Sequence, residues 1–286
     1  MMALMSSINR REMLAFSLRA GLATAAGAVG ASALGTAVAS AVPPAPLAPP
    51  AATYTTGSFA SAARGGAVTN WAIARPPGQT EPLRPVILLH GKGSSANTVM
   101  SMGVEQFLAD AVRAGLPPFA MAAVDGGDGY WHRRASGDDS GAMVLDEFLP
   151  LLAEQGLDTS RVGFLGWSMG GYGAMLLGSR LGPARTAAIC AVSPALWTSP
   201  GAAAPGAFDS AADYEANSVW GLPALGVIPL RIDCGDDDPF SSATQQFIAQ
   251  LPTPPAGGFS PGGHNASFWS SQLTGELSWM APILTG

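Results

Sequence analysis

A serine between two glycines is the first feature of this sequence that could do covalent chemistry. Gly166, Ser168 and Gly170 form a G-x-S-x-G motif between a run typical of a strand and a run typical of a helix, the context in which this motif carries a nucleophile. Side chains must be absent beside a serine on so tight a turn, and this requirement explains both glycines. The motif predicts a nucleophilic hydroxyl on Ser168, with an ordinary glycine-rich turn as the alternative.

A serine hydroxyl needs a base to accept its proton, and His264 is the candidate. The chain has three histidines, His90, His132 and His264. A nucleophile on a strand-turn-helix is followed along the chain first by its acid and then by its histidine, and only His264 comes after Ser168. The alternative is an exposed histidine on a glycine-rich loop without a catalytic role.

The acid is expected in the turn after the strand that precedes the histidine loop. Asp236, Asp237 and Asp238 stand there between Gly235 and Pro239. The spacing Gly-x-x-Asp favours Asp238, and Asp237 is the runner-up. Such a carboxylate fixes the tautomer of the histidine and stabilises its charged form without taking the proton. A solvated acidic turn and a weak calcium site are the alternatives, but other oxygen ligands at suitable spacing are lacking, so we predict no metal.

Two backbone amides are candidates for an oxyanion hole. Met169 opens the helix after the nucleophile, where the helix dipole and free amides favour a developing negative charge. The turn after the strand that ends at His90 supplies a second amide, from Lys92. We expect the His90 side chain to orient this turn.

Three aromatic residues are candidates for the walls of a substrate pocket. Trp167 directly precedes the nucleophile, and Tyr130 and Trp131 follow the end of a predicted strand. Ordinary packing in the core is the alternative for all three.

Short apolar runs alternate with longer helical patterns around these residues, which is typical of βαβ units and a parallel sheet. Strands are predicted at 85–90, 119–124, 161–165, 186–192 and 227–233, and helices at 97–114, 143–152, 170–181 and after Phe268. Open parallel sheets bind ligands at the carboxyl ends of their strands. The segment 197–222 is too long for a simple connection, and we expect it to cross the face of the molecule that holds the active site.

Composition sets limits on fold and partners. With 286 residues, of which 48% are hydrophobic, the chain can bury a large core and is expected to form one domain over 53–286. A net charge of −6 without clustered Lys and Arg argues against nucleic acid and for a small-molecule partner. Cys190 and Cys234 are too few for a disulfide scaffold, and a bond directly across parallel strands strains its geometry, so free buried thiols are predicted.

The amino-terminal segment predicts export. Arg10 and Arg11 precede an uncharged stretch that ends in small residues, which resembles a twin-arginine signal cleaved near 39–41. A membrane anchor is the alternative, but the stretch is weakly hydrophobic and no span is expected after cleavage. We assign 1–41 to the signal and 42–52 to a Pro/Ala linker, and expect the mature chain to be secreted or held in the cell envelope.

Together these motifs resemble the esterase D-like group of α/β-hydrolases, which includes S-formylglutathione hydrolases, feruloyl esterases and bacterial mycolyltransferases. The matching segments are 166–175, 235–240 and 262–269, with the turn at 89–91, and 124–132 looks like exported actinobacterial members. The resemblance implies an α/β-hydrolase fold, with a mostly parallel twisted central sheet and helices on both faces. It also implies hydrolysis of small-molecule or lipid esters through an acyl-enzyme on Ser168, without a cofactor.

Two other functions are open at this stage. A cell-envelope acyltransferase would use the same triad, but Gly170 stands where mycolyltransferases have Ala, and their usual acid is Glu. A non-catalytic binding protein on the same scaffold is disfavoured because serine, acid and histidine are all present. Short acyl chains are expected to fit best in a compact pocket.

Overall fold

An eight-stranded sheet organises residues 53–286, the part of the chain that the computed structural model describes. The strands are β1 (Thr53–Ser61), β2 (Ala67–Arg75), β3 (Pro85–Leu89), β4 (Ala120–Val124), β5 (Val162–Trp167), β6 (Thr186–Val192), β7 (Leu230–Gly235) and β8 (Ala256–Ser260). Their order is β1-β2-β4-β3-β5-β6-β7-β8. β2 pairs antiparallel with β1 and β4, and all other pairs are parallel. The predicted mostly parallel sheet is confirmed, whereas the predicted signal and linker lie outside the described residues.

Helices cover both faces of this sheet. They are α1 (Ala96–Met100), α2 (Val104–Arg113), α3 (Ser140–Ala142), α4 (Leu149–Glu154), α5 (Met169–Leu181), α6 (Ala211–Asn217), α7 (Ser241–Gln250) and α8 (Ala266–Thr285), with a π-helical segment at Met143–Phe148 and 3-10 turns at Pro200–Ala202 and Pro223–Gly226. α1, α2 and α8 pack on one face and α4 to α7 on the other, each against its own apolar core. In this region no helix has both the length and the apolar character needed to cross a membrane.

Burial explains why four of the predicted strands are recognisable in the sequence. β3, β4, β5 and β6 are buried at every residue, and strands covered on both faces appear as continuous apolar runs. The edge strands differ: β1 is rich in Thr, Ser and Gly, and β8 has the sequence Ala-Gly-Gly-Phe-Ser. Neither has a continuous apolar run, so the hydrophobic pattern does not predict them.

Two of the predicted elements differ from the structure for a reason that the local backbone shows. The helix predicted over 97–114 is divided into α1 and α2 because Gly103 adopts a left-handed conformation with φ of 93°. The strand predicted from residue 227 begins only at Leu230, because the amides of Val227 and Ile228 bond back to the carbonyl of Ala224 in the preceding turn.

The two cysteines are free and buried, as predicted. Cys190 on β6 lies opposite Arg231 on β7. Cys234 is three residues further along β7, so the alternation of side chains directs it to the other face of the sheet. The two sulfur atoms are therefore on opposite sides of the sheet.

Candidate active site

The turn between β5 and α5 holds Ser168 in a conformation that few residues adopt. Its φ of 56° and ψ of −118° are outside the regions favoured by non-glycine residues. The turn is held by the Ser168 amide, which donates to Val192 at 2.9 Å, and by its carbonyl, which accepts from Ala195 at 3.0 Å. A Cβ at Gly166 would overlap the backbone of Gly170. The two glycines thus allow the close approach that the motif predicts.

The loops after β7 and β8 bring an acid and a base to this serine. His264 Nε2 lies 2.9 Å from Ser168 Oγ, and His264 Nδ1 lies 2.8 Å from Asp238 Oδ2. The structure therefore brings together Ser168, Asp238 and His264. Asp237 is exposed, and only its backbone amide takes part, donating to Gly262 at 2.9 Å.

Backbone contacts between the two loops fix this geometry. The Asp236 amide donates to Ser260, and an added Cβ at Gly235 would overlap the backbone of Gly262. The other oxygen of Asp238 accepts the amide of Phe240 at 2.9 Å. Asp238 is thus held by the turn that carries it, and its free oxygen is directed at the imidazole.

Asp238 stays ionised in this environment. Burial alone would raise its pKa, but hydrogen bonds from His264 and the Phe240 amide favour the charged form more strongly, and its pKa lies below the ordinary value. A carboxylate with a lowered folded-state pKa stabilises the fold above its unfolded pKa, and that contribution is lost as the pH falls through the folded value. The imidazole consequently faces a negative charge throughout the neutral range.

The turn after β3 lies beside the nucleophile. A Cβ at Gly91 would stand 3.5 Å from Ser168 Cβ. Lys92 follows directly and is exposed, and within residues 53–286 its amide has no hydrogen-bond acceptor. Met169 is the first residue of α5, so its amide has no acceptor within that helix. Both predicted oxyanion amides remain available for a developing charge.

His90 holds this turn in place. The Gly126 amide donates to His90 Nε2 at 2.9 Å, so the ring proton is on Nδ1, which donates to the Gly91 carbonyl at 2.8 Å. Burial lowers the pKa of His90, which keeps the ring neutral. The Gly93 amide adds a 2.7 Å hydrogen bond to Asp128. The side chain of His90 thus orients the turn, as the sequence indicated.

The predicted pocket aromatics require a correction. Trp131 and Trp167 are each only 1% exposed. Trp131 packs on His90, with ring centroids 5.0 Å apart, and Trp167 belongs to the core beneath α8. Tyr130 is also buried and contacts Trp197 at 5.5 Å. These rings support the site from below rather than forming its open walls.

The rings that border the triad belong to residues that sequence reasoning did not select for the pocket. Phe240 and Trp269 are half-buried, and each lies edge-on to His264 with ring centroids 5.2 Å apart. Trp197, at the start of the long β6–β7 connection, contacts Phe240 at 5.7 Å. The signal that could have found them is their position, since Phe240 follows the acid by two residues and Trp269 follows the base by five.

Comparison with known proteins places this site in a recognised fold. A ferulic acid esterase superposes with a TM-score of 0.71 at 20% identity, covering 82% of this chain and 99% of that one. The chain has the α/β-hydrolase fold. An S-formylglutathione hydrolase from Agrobacterium tumefaciens gives 0.68 at 21% identity, covering 82% and 96% of the two chains. The fluorophosphonate-binding serine hydrolase F from Staphylococcus aureus gives 0.62 at 18%, covering 81% and 99%.

Sequence comparison adds nothing to this result, because neither a family model nor a curated protein matches the chain. The α/β-hydrolase fold predicted from the motifs is confirmed by the structural likeness.

Proposed function

We propose that this protein is a serine esterase that hydrolyses carboxylic esters of small molecules through an acyl-enzyme on Ser168. The observation that carries the proposal is the continuous hydrogen-bond chain from Asp238 through His264 to the Ser168 hydroxyl, with links of 2.8 and 2.9 Å. Such a chain activates a hydroxyl for acyl transfer. The likeness to a ferulic acid esterase and to a serine hydrolase that binds fluorophosphonates supports the same reaction class.

The first half of the reaction forms the acyl-enzyme. His264 Nε2 takes the hydroxyl proton while Ser168 Oγ attacks the ester carbonyl, and the carbonyl oxygen becomes an oxyanion held by the amides of Lys92 and Met169. Asp238 stabilises the resulting imidazolium. When the intermediate collapses, the bond to the alcohol oxygen breaks, and His264 donates its proton to the departing alcohol.

The second half releases the acid. Water gives a proton to His264 as its oxygen attacks the acyl carbonyl, and the new tetrahedral intermediate expels Ser168 Oγ, which recovers the proton. Every proton transfer uses the same imidazole nitrogen. The half-buried rings of Phe240 and Trp269 lie edge-on to His264, with centroids 5.2 Å from the imidazole, and would limit the access of bulk water to that nitrogen. We propose substrates with a compact acyl or alcohol group.

Fluorophosphonate labelling tests the proposal directly. We expect the purified protein to take up one fluorophosphonate group and peptide mapping to place it on Ser168, because only this hydroxyl contacts a histidine that is itself held by a carboxylate among the described residues. Protein unfolded in denaturant is the control and should not react. An adduct on another residue, or none on the folded protein, would contradict the assignment.

We also propose that the protein acts after twin-arginine export, on the strength of the Arg10-Arg11 pair and the small residues before residue 42. Changing both arginines to lysine is expected to leave the uncleaved chain in the cytoplasm of the producing cell. Fractionation followed by amino-terminal sequencing measures this. Normal processing of the double variant would show that the pair is not an export signal.

A further inference from the structure

A group of three buried side chains lies on the α8 face of the sheet, apart from the triad residues. Cys190 on β6, Asp233 on β7 and Glu276 on α8 are all buried, and one ligand atom from each lies within 4.8 Å of the others. The sheet register explains the convergence: Cys190 is opposite Arg231, and Asp233 is two residues further along the same face. We call these three residues the β6–β7–α8 cluster.

Glu276 is the anomaly within this cluster. Glu276 is fully buried, and neither of its carboxylate oxygens has a hydrogen-bond partner in the described part of the chain. Asp233 next to it is paired, because Arg231 binds its two oxygens at 2.6 and 3.0 Å. Buried carboxylates in proteins are normally paired, hydrogen-bonded or coordinated to a metal. Glu276 therefore lacks a partner, and its carboxylate faces a thiol and a second carboxylate.

The charges of the cluster indicate what that partner would be. With the thiol and both carboxylates ionised, three negative charges face the single positive charge of Arg231. A divalent cation would neutralise the two negative charges that remain. A sulfur ligand combined with carboxylate oxygens suits zinc better than the hard cations calcium and magnesium, which take oxygen ligands alone.

We propose that Cys190, Asp233 and Glu276 bind a structural zinc ion that joins α8 to the centre of the sheet. Ligand atoms around tetrahedral zinc are roughly 3–4 Å apart, given bond lengths of about 2.0–2.3 Å. The ligand atoms of the cluster lie at most 4.8 Å apart, so they would need to approach by about 1 Å to reach this range. Tetrahedral zinc would need a water molecule as its fourth ligand, since the cluster offers three.

Protons compete with zinc for these groups. Burial raises the pKa of Glu276 and that of the Cys190 thiol, and the nearby carboxylate of Asp233 raises both pKa values further. Zinc must displace these protons, so its affinity rises with pH.

Cobalt substitution tests whether Cys190 is a ligand. We expect full-length protein, treated with chelator and then titrated with Co²⁺, to develop a thiolate-to-cobalt absorption band at one equivalent. Cys190→Ser should abolish the band, and Cys234→Ser should retain it, because Cys234 lies on the opposite face of the sheet. A band that persists in Cys190→Ser, or no band in the unsubstituted protein, would overturn the proposal.

Glu276→Gln separates a zinc ligand from a carboxyl group that is merely protonated. Saturating Zn²⁺ is expected to raise the Tm of the unsubstituted protein by about 5–10 °C at pH 8. Glu276→Gln keeps the shape of the side chain but removes the negative charge of the proposed oxygen ligand. It should gain nothing from Zn²⁺. Equal zinc stabilisation of both proteins would contradict the assignment of Glu276, and no zinc effect on either would contradict the site.

Discussion

Replacing Ser168 with alanine is expected to lower kcat/KM for p-nitrophenyl acetate by about 10⁵-fold. The variant loses the atom that forms the acyl-enzyme, so only the oxyanion amides and binding remain to accelerate direct attack by water. Alanine is close to serine in volume, and the glycines of the turn are unchanged, so the fold should persist. Alanine at this position must adopt the same strained φ of 56° as serine does. Initial rates measure the loss of activity, and circular dichroism of the same preparation measures whether the fold persists.

A nearby serine provides the control for this variant. Ser267 is exposed, and it follows the base by three residues. Ser267→Ala is expected to keep the full rate. If Ser168→Ala retained more than about one hundredth of the activity, the hydroxyl could not be the nucleophile, since a residual rate of that size exceeds what binding and oxyanion contacts supply without it.

Replacing Asp238 with asparagine is expected to lower kcat by about 10⁴-fold near neutral pH. The amide keeps the shape of the carboxylate but provides no negative charge, and its NH₂ group facing Nδ1 favours the imidazole tautomer with its proton on Nε2. That proton would point at Ser168 Oγ, 2.9 Å away, so the ring could no longer accept the hydroxyl proton. Steady-state kinetics should show the loss mainly in kcat rather than in KM.

Asp237→Asn is the matched control for Asp238→Asn. The two residues are adjacent in the same turn, but the Asp237 side chain is exposed, whereas Asp238 Oδ2 lies 2.8 Å from the imidazole. We expect Asp237→Asn to change kcat less than about threefold, the scale of an exposed charge near a site. A larger loss in Asp237→Asn than in Asp238→Asn would reverse the assignment of the acid.

The candidate nucleophile and the candidate base could be selected from sequence because each depends on local rules. Gly166 and Gly170 are needed by a tight turn, and chain order alone selects His264 among three histidines. The runs that became β3 to β6 are apolar throughout because both faces are covered. At the turn around Ser168 and in strands β3 to β6, the local sequence pattern therefore agrees with the tertiary structure.

The pocket could not be predicted, because its walls come from contacts between residues distant in the chain. In the sequence, Trp167 directly precedes Ser168 and Trp131 follows the end of a predicted strand. In the structure, both rings are buried in the core. Phe240 reaches the imidazole only because the turn after β7 packs on the loop after β8. Likewise, no periodicity in 53–61 indicates that a polar run forms the first strand of the sheet.

His264 lies on the loop that follows β8, an edge strand of the sheet. β8 has a partner strand on one side only, is only partly buried, and contains two glycines, while β5 lies in the interior between two neighbours. Fraying of that last strand would carry the imidazole away while leaving the serine undisturbed. We therefore expect the proposed activity to be lost when this edge strand opens, before the centre of the sheet unfolds.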